Sequence, residues 1–231
     1  DCHDIAVLEM GISDFGEMSR LADIARPSTC VITNIGQCHL EFLGDRDGVL
    51  RAKTEIFNYL REGGRAVLNG DDDKLATIHE VQGRPPVFFG LNPEYPVYAD
   101  EIESCGLKGT KSRIHLPGAE FTVQIPMPGR HMVYNSLAAA AVGALYGLTP
   151  EQIQRGIESL EPISGRFRMV ETQKYLIVDD CYNANPVSMK ASLDILRDAL
   201  GRKVAVLGDM GELGADERQM HEEVGKYAAG C

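Results

Sequence analysis

No Cys-x-x-Cys pair occurs among the six cysteines of this 231-residue chain, which stand far apart at Cys2, Cys30, Cys38, Cys105, Cys181 and Cys231. That spacing excludes a dense disulfide framework or a clustered thiolate metal site and reads as reduced thiols, mostly small buried packers. No long run of lysine or arginine occurs either, and the formal net charge is -11. General nucleic-acid and anionic-membrane binders need an electropositive footprint, so neither class fits, whereas a small anionic ligand held by a few local donors does. No basic-then-apolar leader opens the sequence, and no apolar run approaches the roughly 18 residues of a membrane span. The expectation is a soluble, cytoplasmic protein without nucleic-acid or membrane partners.

What is present is material for a core: 44% hydrophobic content is enough for one large domain or two modest ones. Residues 5–10 and 30–35 read as short buried strands separated by a helix over 17–25, the rhythm of a parallel α/β sheet. A helix over 47–60, a strand at 66–68, a helix over 74–80 and a strand at 87–89 continue it. Over 97–125 short alternating segments punctuated by glycine and proline read as an antiparallel insertion. Helices over 133–146 and 150–160 follow, the second with Thr149 as N-cap and Pro150 at its first position. Residues 162–165 read as a hinge. Beyond it, strands at 168–171 and 175–178, a helix over 186–200, a strand at 204–207 and a helix over 217–229 restart a βαβ pattern, a second α/β domain.

Several residues stand where chemistry is expected. Glu9 closes the strand Ile-Ala-Val-Leu-Glu-Met and His39 follows the strand Val-Ile-Thr-Asn-Ile-Gly, so both sit just beyond the carboxyl ends of parallel strands, where open α/β sheets form ligand crevices. A carboxylate and an imidazole converging there suit a divalent cation; a polar strand end beside a surface histidine is the alternative. Lys53 falls on the apolar face defined by Val49, Ile56, Phe57 and Leu60. Burial disfavours the ammonium form, and a neutral amine can react with carbon dioxide to give a carbamate, which reverses its charge. The alternative is a stem lying along the core with its head in water. Gly129-Arg130-His131 and Asn135 put donors near a positive helix end, suited to an anion or nucleotide or to ordinary capping. Arg166, at the hinge, can give paired donors to a phosphate or form an interdomain salt bridge. The turn Asp179 to Pro186, with Asp180, Asn183 and Asn185, holds more acids and amides at a strand-to-helix turn than capping requires, which favours ligand binding. Asp209 to Gly214 again ends a strand, and its glycines serve the turn.

Taken together and in order, Leu8-Glu9-Met10-Gly11, Thr33-Asn34-Ile35-Gly36 with His39-Leu40-Glu41, Ala52-Lys53-Thr54-Glu55-Ile56-Phe57, Gly165-Arg166, Asp179 to Pro186 and Val206 to Gly214 resemble the Mur ligases over nearly the whole chain. Tyr182-Asn183-Ala184-Asn185-Pro186 and Leu207-Gly208-Asp209-Met210-Gly211-Glu212-Leu213-Gly214 are similar to the members that add D-alanyl-D-alanine. The resemblance implies a parallel-sheet ATPase domain with an antiparallel insertion over residues 1–161 and the start of a Rossmann-like α/β domain over 162–231. It implies an ATP-dependent ligase that joins D-alanyl-D-alanine to UDP-N-acetylmuramoyl-tripeptide through an acyl phosphate in peptidoglycan precursor synthesis, acting as a monomer on small-molecule substrates. By the same resemblance Glu9 and His39 are magnesium ligands and Lys53 is a carbamylated lysine supporting a second magnesium. Asn135 lies near the adenine, Arg166 contacts the terminal phosphate and Asp180 binds the ribose, with Asn183 and Asn185 in the same nucleotide-binding turn; Lys53, His39 and Arg166 form the catalytic set.

The sequence departs from the family pattern in places. No Gly-Lys-Ser/Thr phosphate loop occurs in it, and the UDP-sugar-binding domain and the end of the last domain are not in it, so the expectation is a fragment with little or no ligase activity of its own. Met132 stands where the family usually has a second asparagine near the adenine, and Cys181 where it usually has serine. Another Mur-like ligase using a different amine, or a non-catalytic nucleotide- or peptide-binding module, are the alternative readings. A metal-dependent hydrolase fits less well, because no dense His/Asp cluster occurs.

Overall fold

Parallel pairing begins in the computed structural model, which describes residues 3–231, where β1 (Thr29–Ile32) lies beside β2 (Arg65–Asn69). Next come β3 (Val87–Gly90) and β4 (Val97–Ser104), also parallel. β5 (Thr110–Leu116) and β6 (Ala119–Ile125) then add in antiparallel fashion, giving one six-stranded sheet in the order β1-β2-β3-β4-β5-β6. The expected antiparallel insertion is therefore an extension of the same sheet.

The two faces of that sheet carry separate cores, and β2 shows how the sequence divides them. Successive side chains on a strand point to opposite faces. Ala66 and Leu68 join one cluster, with Met18 and Ala22 of α1 (Glu17–Ala25) and Val49 and Ala52 of α3 (Arg46–Thr54). Val67 joins the other, with Phe89, Ile114, and Leu137 and Ala141 of α4 (Arg130–Leu145), and with Ile153 and Ile157 of α5 (Pro150–Glu158). A strand covered on both faces reads as a continuous apolar run, which is why this one was legible. Each fully buried Val, Leu, Ile or Phe of these clusters contributes roughly 1.5–3 kcal/mol. α5 starts where expected: Thr149 accepts from Gln152 N, and the Gln152 side chain answers at Thr149 N, a reciprocal cap.

Four expected elements differ. Residues 5–10 form no ladder, and Ile5, Val7 and Leu8 are exposed. Residues 204–207 form none either, and Val204 and Val206 are exposed. An apolar run signals capacity for burial, but a strand also needs a neighbour to take its N–H and C=O groups, and neither segment has one among the described residues. The helix expected over 47–60 is regular only to Thr54 and tightens into a 3-10 turn over Glu55–Tyr59. There the Thr54 hydroxyl donates to the carbonyls of Leu50 and Arg51, competing with the helical backbone. Over 74–80 only the short turn Leu75–Thr77 forms, nucleated by Asp72, whose Oδ1 accepts from Lys74 N and Leu75 N.

The second unit has its own small sheet, β7 (Arg168–Glu171) antiparallel to β8 (Leu176–Asp179). Helices α6 (Pro186–Arg197) and α7 (Glu217–Ala229) pack through Leu193, Met210, Leu213 and Val224. The whole is α/β, as expected. Cys30, Cys38, Cys105, Cys181 and Cys231 are free thiols, but only Cys30 is buried; Cys105, Cys181 and Cys231 are exposed, against the expectation of buried packers. Cys2 lies outside the described residues.

Candidate active site at the sheet rim

Beyond the carboxyl end of β1 the chain crosses the sheet rim as the loop 33–39, and four side chains from elsewhere pin it. Asn69, buried at the end of β2, donates from Nδ2 to Thr33 O at 3.0 Å. Asp72 Oδ2 accepts from Ile35 N at 2.8 Å, and Arg46 Nε donates to Ile35 O at 2.9 Å. Lys53 Nζ donates to Asn34 O at 2.9 Å. Lys53 is half-buried, and its amine is delivered to the rim loop. Arg46 also grips Asp73 through both terminal nitrogens, which raises the arginine's pKa and lowers the carboxyl's.

The same loop ends at His39, in a left-handed conformation (φ 54) at the start of α2 (Leu40–Leu43). Its Nδ1 meets the Glu212 carboxylate of the second unit. The structure therefore brings Lys53 and His39 to one loop. Glu9 is exposed, and no described contact ties it to either. Among the described residues no group of three or more His, Cys, Asp and Glu forms a closed metal cage. Magnesium takes oxygen donors, keeps waters and binds phosphate oxygens rather than filling an all-protein cage, so the Glu9 carboxylate suits it, the His39 imidazole is a softer donor, and Lys53 would offer oxygens only as a carbamate.

One part of this rim escaped sequence reasoning. The turn Asn69-Gly70-Asp71-Asp72-Asp73 after β2 is a polar hub: Asp71 Oδ2 accepts from Leu91 N (2.6 Å) and from the Tyr134 hydroxyl (3.0 Å), and Asp71 N donates to Asn69 Oδ1 (3.0 Å). Burial, reinforced by Asp71, pushes the Tyr134 phenol up to about 12. Tyr95 closes over Gly70, donating to its carbonyl at 2.7 Å; a Cβ at Gly70 would lie 2.4 Å from the Tyr95 ring. An Asn-Gly step followed by a run of aspartates at a strand end was the available signal.

The remaining expected site residues lie on α4 and in the second unit. Asn135 is exposed on the first turns of α4, its Nδ2 3.6 Å from Met132 Sδ. Desolvation lowers the pKa of His131, opposed by the charge of Asp180. At Gly129 an added Cβ would lie 3.2 Å from Ile195 Cδ1 of α6, so the two units meet here. They border an open cleft of about 610 Å³ lined in part by Asp100, Arg130, His131, Asp194 and Ile195. Across the hinge, the exposed Arg166 guanidinium sits 4.0 Å from the centroid of the Tyr182 ring, a stacked cation–π arrangement. Asp180 accepts from Phe167 N (3.1 Å) and Ser192 Oγ (2.5 Å), and Asp179 from Gly165 N (3.2 Å). The Cys181 thiol lowers the Asp179 pKa first of all, and Asp179 in turn raises that of the thiol. Asn183 Oδ1 accepts from Ala184 N, while Asn185 caps α6 by accepting from Val187 N (3.0 Å) and Ser188 N (2.9 Å). Arg166, Asp180, Asn183 and Asn185 are thus gathered into one hinge-side turn.

A mostly parallel sheet whose rim loop faces a second α/β unit, with cationic and amide groups on both sides, defines a two-unit ligand-binding protein of the kind that handles an anion at strand ends. The family is established by direct similarity. Residues 1–143 match the Mur ligase middle domain and residues 165–231 the Mur ligase, glutamate ligase domain; the chain belongs to the Mur ligase family. It is 37% identical to the UDP-N-acetylmuramoyl-tripeptide--D-alanyl-D-alanine ligase of Bacillus subtilis, over 96% of this chain and 48% of that protein. Its fold is similar to the crystal structure of MurF from Acinetobacter baumannii (TM-score 0.89, 35% identity, 96% of this chain and 48% of that one). It is also similar to the MurF ligase from Thermotoga maritima solved in complex with ADP (TM-score 0.82, 32% identity, 94% and 50%). The chain spans about half the length of the curated relatives it matches.

Proposed function

We propose that this chain belongs to an ATP-dependent ligase that joins D-alanyl-D-alanine to UDP-N-acetylmuramoyl-tripeptide in peptidoglycan precursor synthesis, and that it supplies the nucleotide-handling rim and the domain that closes over it. The observation that supports this reading is the pinned loop 33–39, where Lys53 and His39 come together, with a second unit that gathers Asp180, Asn183 and Asn185 beside Arg166 and reaches His39 through Glu212. The domains divide as 1–161 and 162–231, and the protein works as a cytoplasmic monomer on small molecules.

In the reaction the tripeptide carboxylate attacks the terminal phosphorus of ATP, ADP leaves, and an acyl phosphate forms. The dipeptide amine then attacks the acyl carbon, the C–N bond forms, and inorganic phosphate departs with the amine's proton released to base. Arg166 gives paired donors to the transferred phosphoryl group, whose charge grows on its oxygens. Asp180 faces the ribose with Asn183 and Asn185 beside it, and Asn135 faces the adenine. Glu9 and His39 would hold magnesium, and Lys53, as its carbamate, would support a second ion. Bound magnesium neutralises phosphoryl oxygens. Approach of the second unit excludes water, which protects the acyl phosphate from hydrolysis.

The test uses the intact protein, with phosphate release measured in the presence of tripeptide substrate, ATP and D-alanyl-D-alanine. Release requires all three, and Arg166→Ala lowers kcat by about 100-fold, on the order of one lost charge-stabilising donor. No release with the complete substrate set sinks the ligase reading; release only with a different amine assigns the chain to another branch of the family.

A further inference from the structure

The segment Asp209 to Gly214, which looks in sequence like a glycine-rich turn, is built as a projection. Met210 and Leu213 are 1% and 3% exposed and lock its base into the core of the second unit. Met210 N donates to His221 Nε2 at 3.0 Å, and since that nitrogen accepts, the ring hydrogen is on Nδ1, which donates to Glu217 O at 2.9 Å. From this anchored base Glu212 extends in the left-handed region, φ 58. Its carboxylate lands on His39 Nδ1, and His39 is itself left-handed, φ 54. Two non-glycine residues in that sparsely populated region, meeting each other, mark a contact that the surrounding structure enforces. The backbones run alongside as well: a Cβ added at Gly214 would lie 3.8 Å from Glu41 N.

We propose that Glu212 is a positioning residue that latches the second unit to the sheet rim and sets the ligand form of His39. This rests on the ligase reading above in taking His39 as a cation ligand. An ionised carboxylate has no proton to give, so His39 donates from Nδ1, and Nε2 keeps the lone pair that a cation requires. A carboxylate hydrogen-bonded to the second ring nitrogen of a metal-ligating histidine fixes its tautomer and orientation. Here that carboxylate comes from the other unit, so approach of the second unit and cation affinity at the rim become one equilibrium. His221 is the remote root of the same device.

The test is made on the intact protein without ATP, tripeptide or dipeptide, so that it does not depend on ligase turnover. Free Mn2+ is followed by EPR, and the distance between one label on each unit is measured in the same samples. Glu212→Gln is expected to weaken Mn2+ binding by about tenfold and to lengthen the interunit distance, with Glu212→Asp recovering most of both. His39→Gln should lose Mn2+ binding, and adding Glu212→Gln to it should cost little more. Unchanged or tighter Mn2+ binding in Glu212→Gln, additive losses in the double variant, or no Mn2+ binding by the wild-type protein overturns the proposal. Wild-type phosphate release alongside any of those results overturns the latch alone. Loss of phosphate release with the Mn2+ and distance effects intact overturns only the ligase reading.

Discussion

Cys30 offers a quantitative check on the core beneath the rim. It is 3% exposed on β1, the strand that feeds the loop carrying His39, and burial pushes its thiol from an ordinary 9.0 up to about 12. The folded state therefore holds the protonated thiol where the unfolded chain releases its proton, so this contribution is complete below pH 9.0 and is lost as pH rises toward about 12. With those two values, the loss is negligible near pH 8 and about 1.4 kcal/mol near pH 10. Cys30→Ala cannot pay that penalty. The assay is guanidinium unfolding of both proteins in reductant, followed by far-UV circular dichroism near pH 8 and near pH 10. The difference between the two cancels every other titrating group, Tyr134 included. The wild-type advantage over Cys30→Ala should shrink by about 1.4 kcal/mol between the two pH values. A difference that stays constant means the thiol is not desolvated in the folded protein and refutes the reasoning.

Other perturbations test the scaffold of the site. Gly48→Ala in α3 would ordinarily stabilise a helix by roughly 0.5–1 kcal/mol, but an added Cβ would lie 1.8 Å from Leu43 O. It should instead destabilise by about 2 kcal/mol or more, and a melting temperature at or above wild type refutes the close approach. Asp45→Ala removes the acceptor for Gly48 N at 2.8 Å and should cost about 1 kcal/mol in chemical denaturation; no loss shows that the cap is idle. His131 is held below 6.5 by desolvation, so the unfolded chain takes up the proton first on acidification. Its contribution to stability is present above pH 6.5 and lost as pH falls below it, a loss that His131→Gln should abolish. An NMR titration of His131 with a midpoint at or above 6.5 contradicts this.

How far the sequence could be read depended on whether the determinant was local. α1 and α7 have the bounds the periodicity predicts, and α5 starts at its Thr149 cap, because a 3.6-residue stripe and a capping box are properties of adjacent residues. The intermediate burial of Lys53 agrees with its spacing from Val49 and Ile56, which put it on the apolar face of the sequence. Its hydrogen bond to Asn34 was not legible, because that depends on a loop held by Asn69 and Asp72 from another strand end. Residues 5–10 and 204–207 were read as strands on apolar pattern, which reports side-chain burial and is silent on which neighbour takes the backbone groups. Glu212 was passed over as a turn residue because its partner lies 173 positions away.

The acid-rich composition looks at odds with a site for a polyanion, and the hydrogen bonds resolve the tension. The acids of the turn after β2 already have partners: Asp71 serves Leu91 N and Tyr134, Asp72 serves Ile35 N, Lys74 N and Leu75 N, and Asp73 is gripped by Arg46. Across the hinge Asp179 and Asp180 serve Gly165 N and Phe167 N. Carboxylates bonded to backbone N–H groups rigidify loops, and the N–H dipoles offset part of their field at close range. Arg166 is exposed with its guanidinium over an aromatic face, and among the described residues no carboxylate forms an ion pair with it. Net charge over the whole chain therefore says little about the potential felt by a phosphate here; what decides it is which acids are occupied by backbone and which cations are left to meet the ligand.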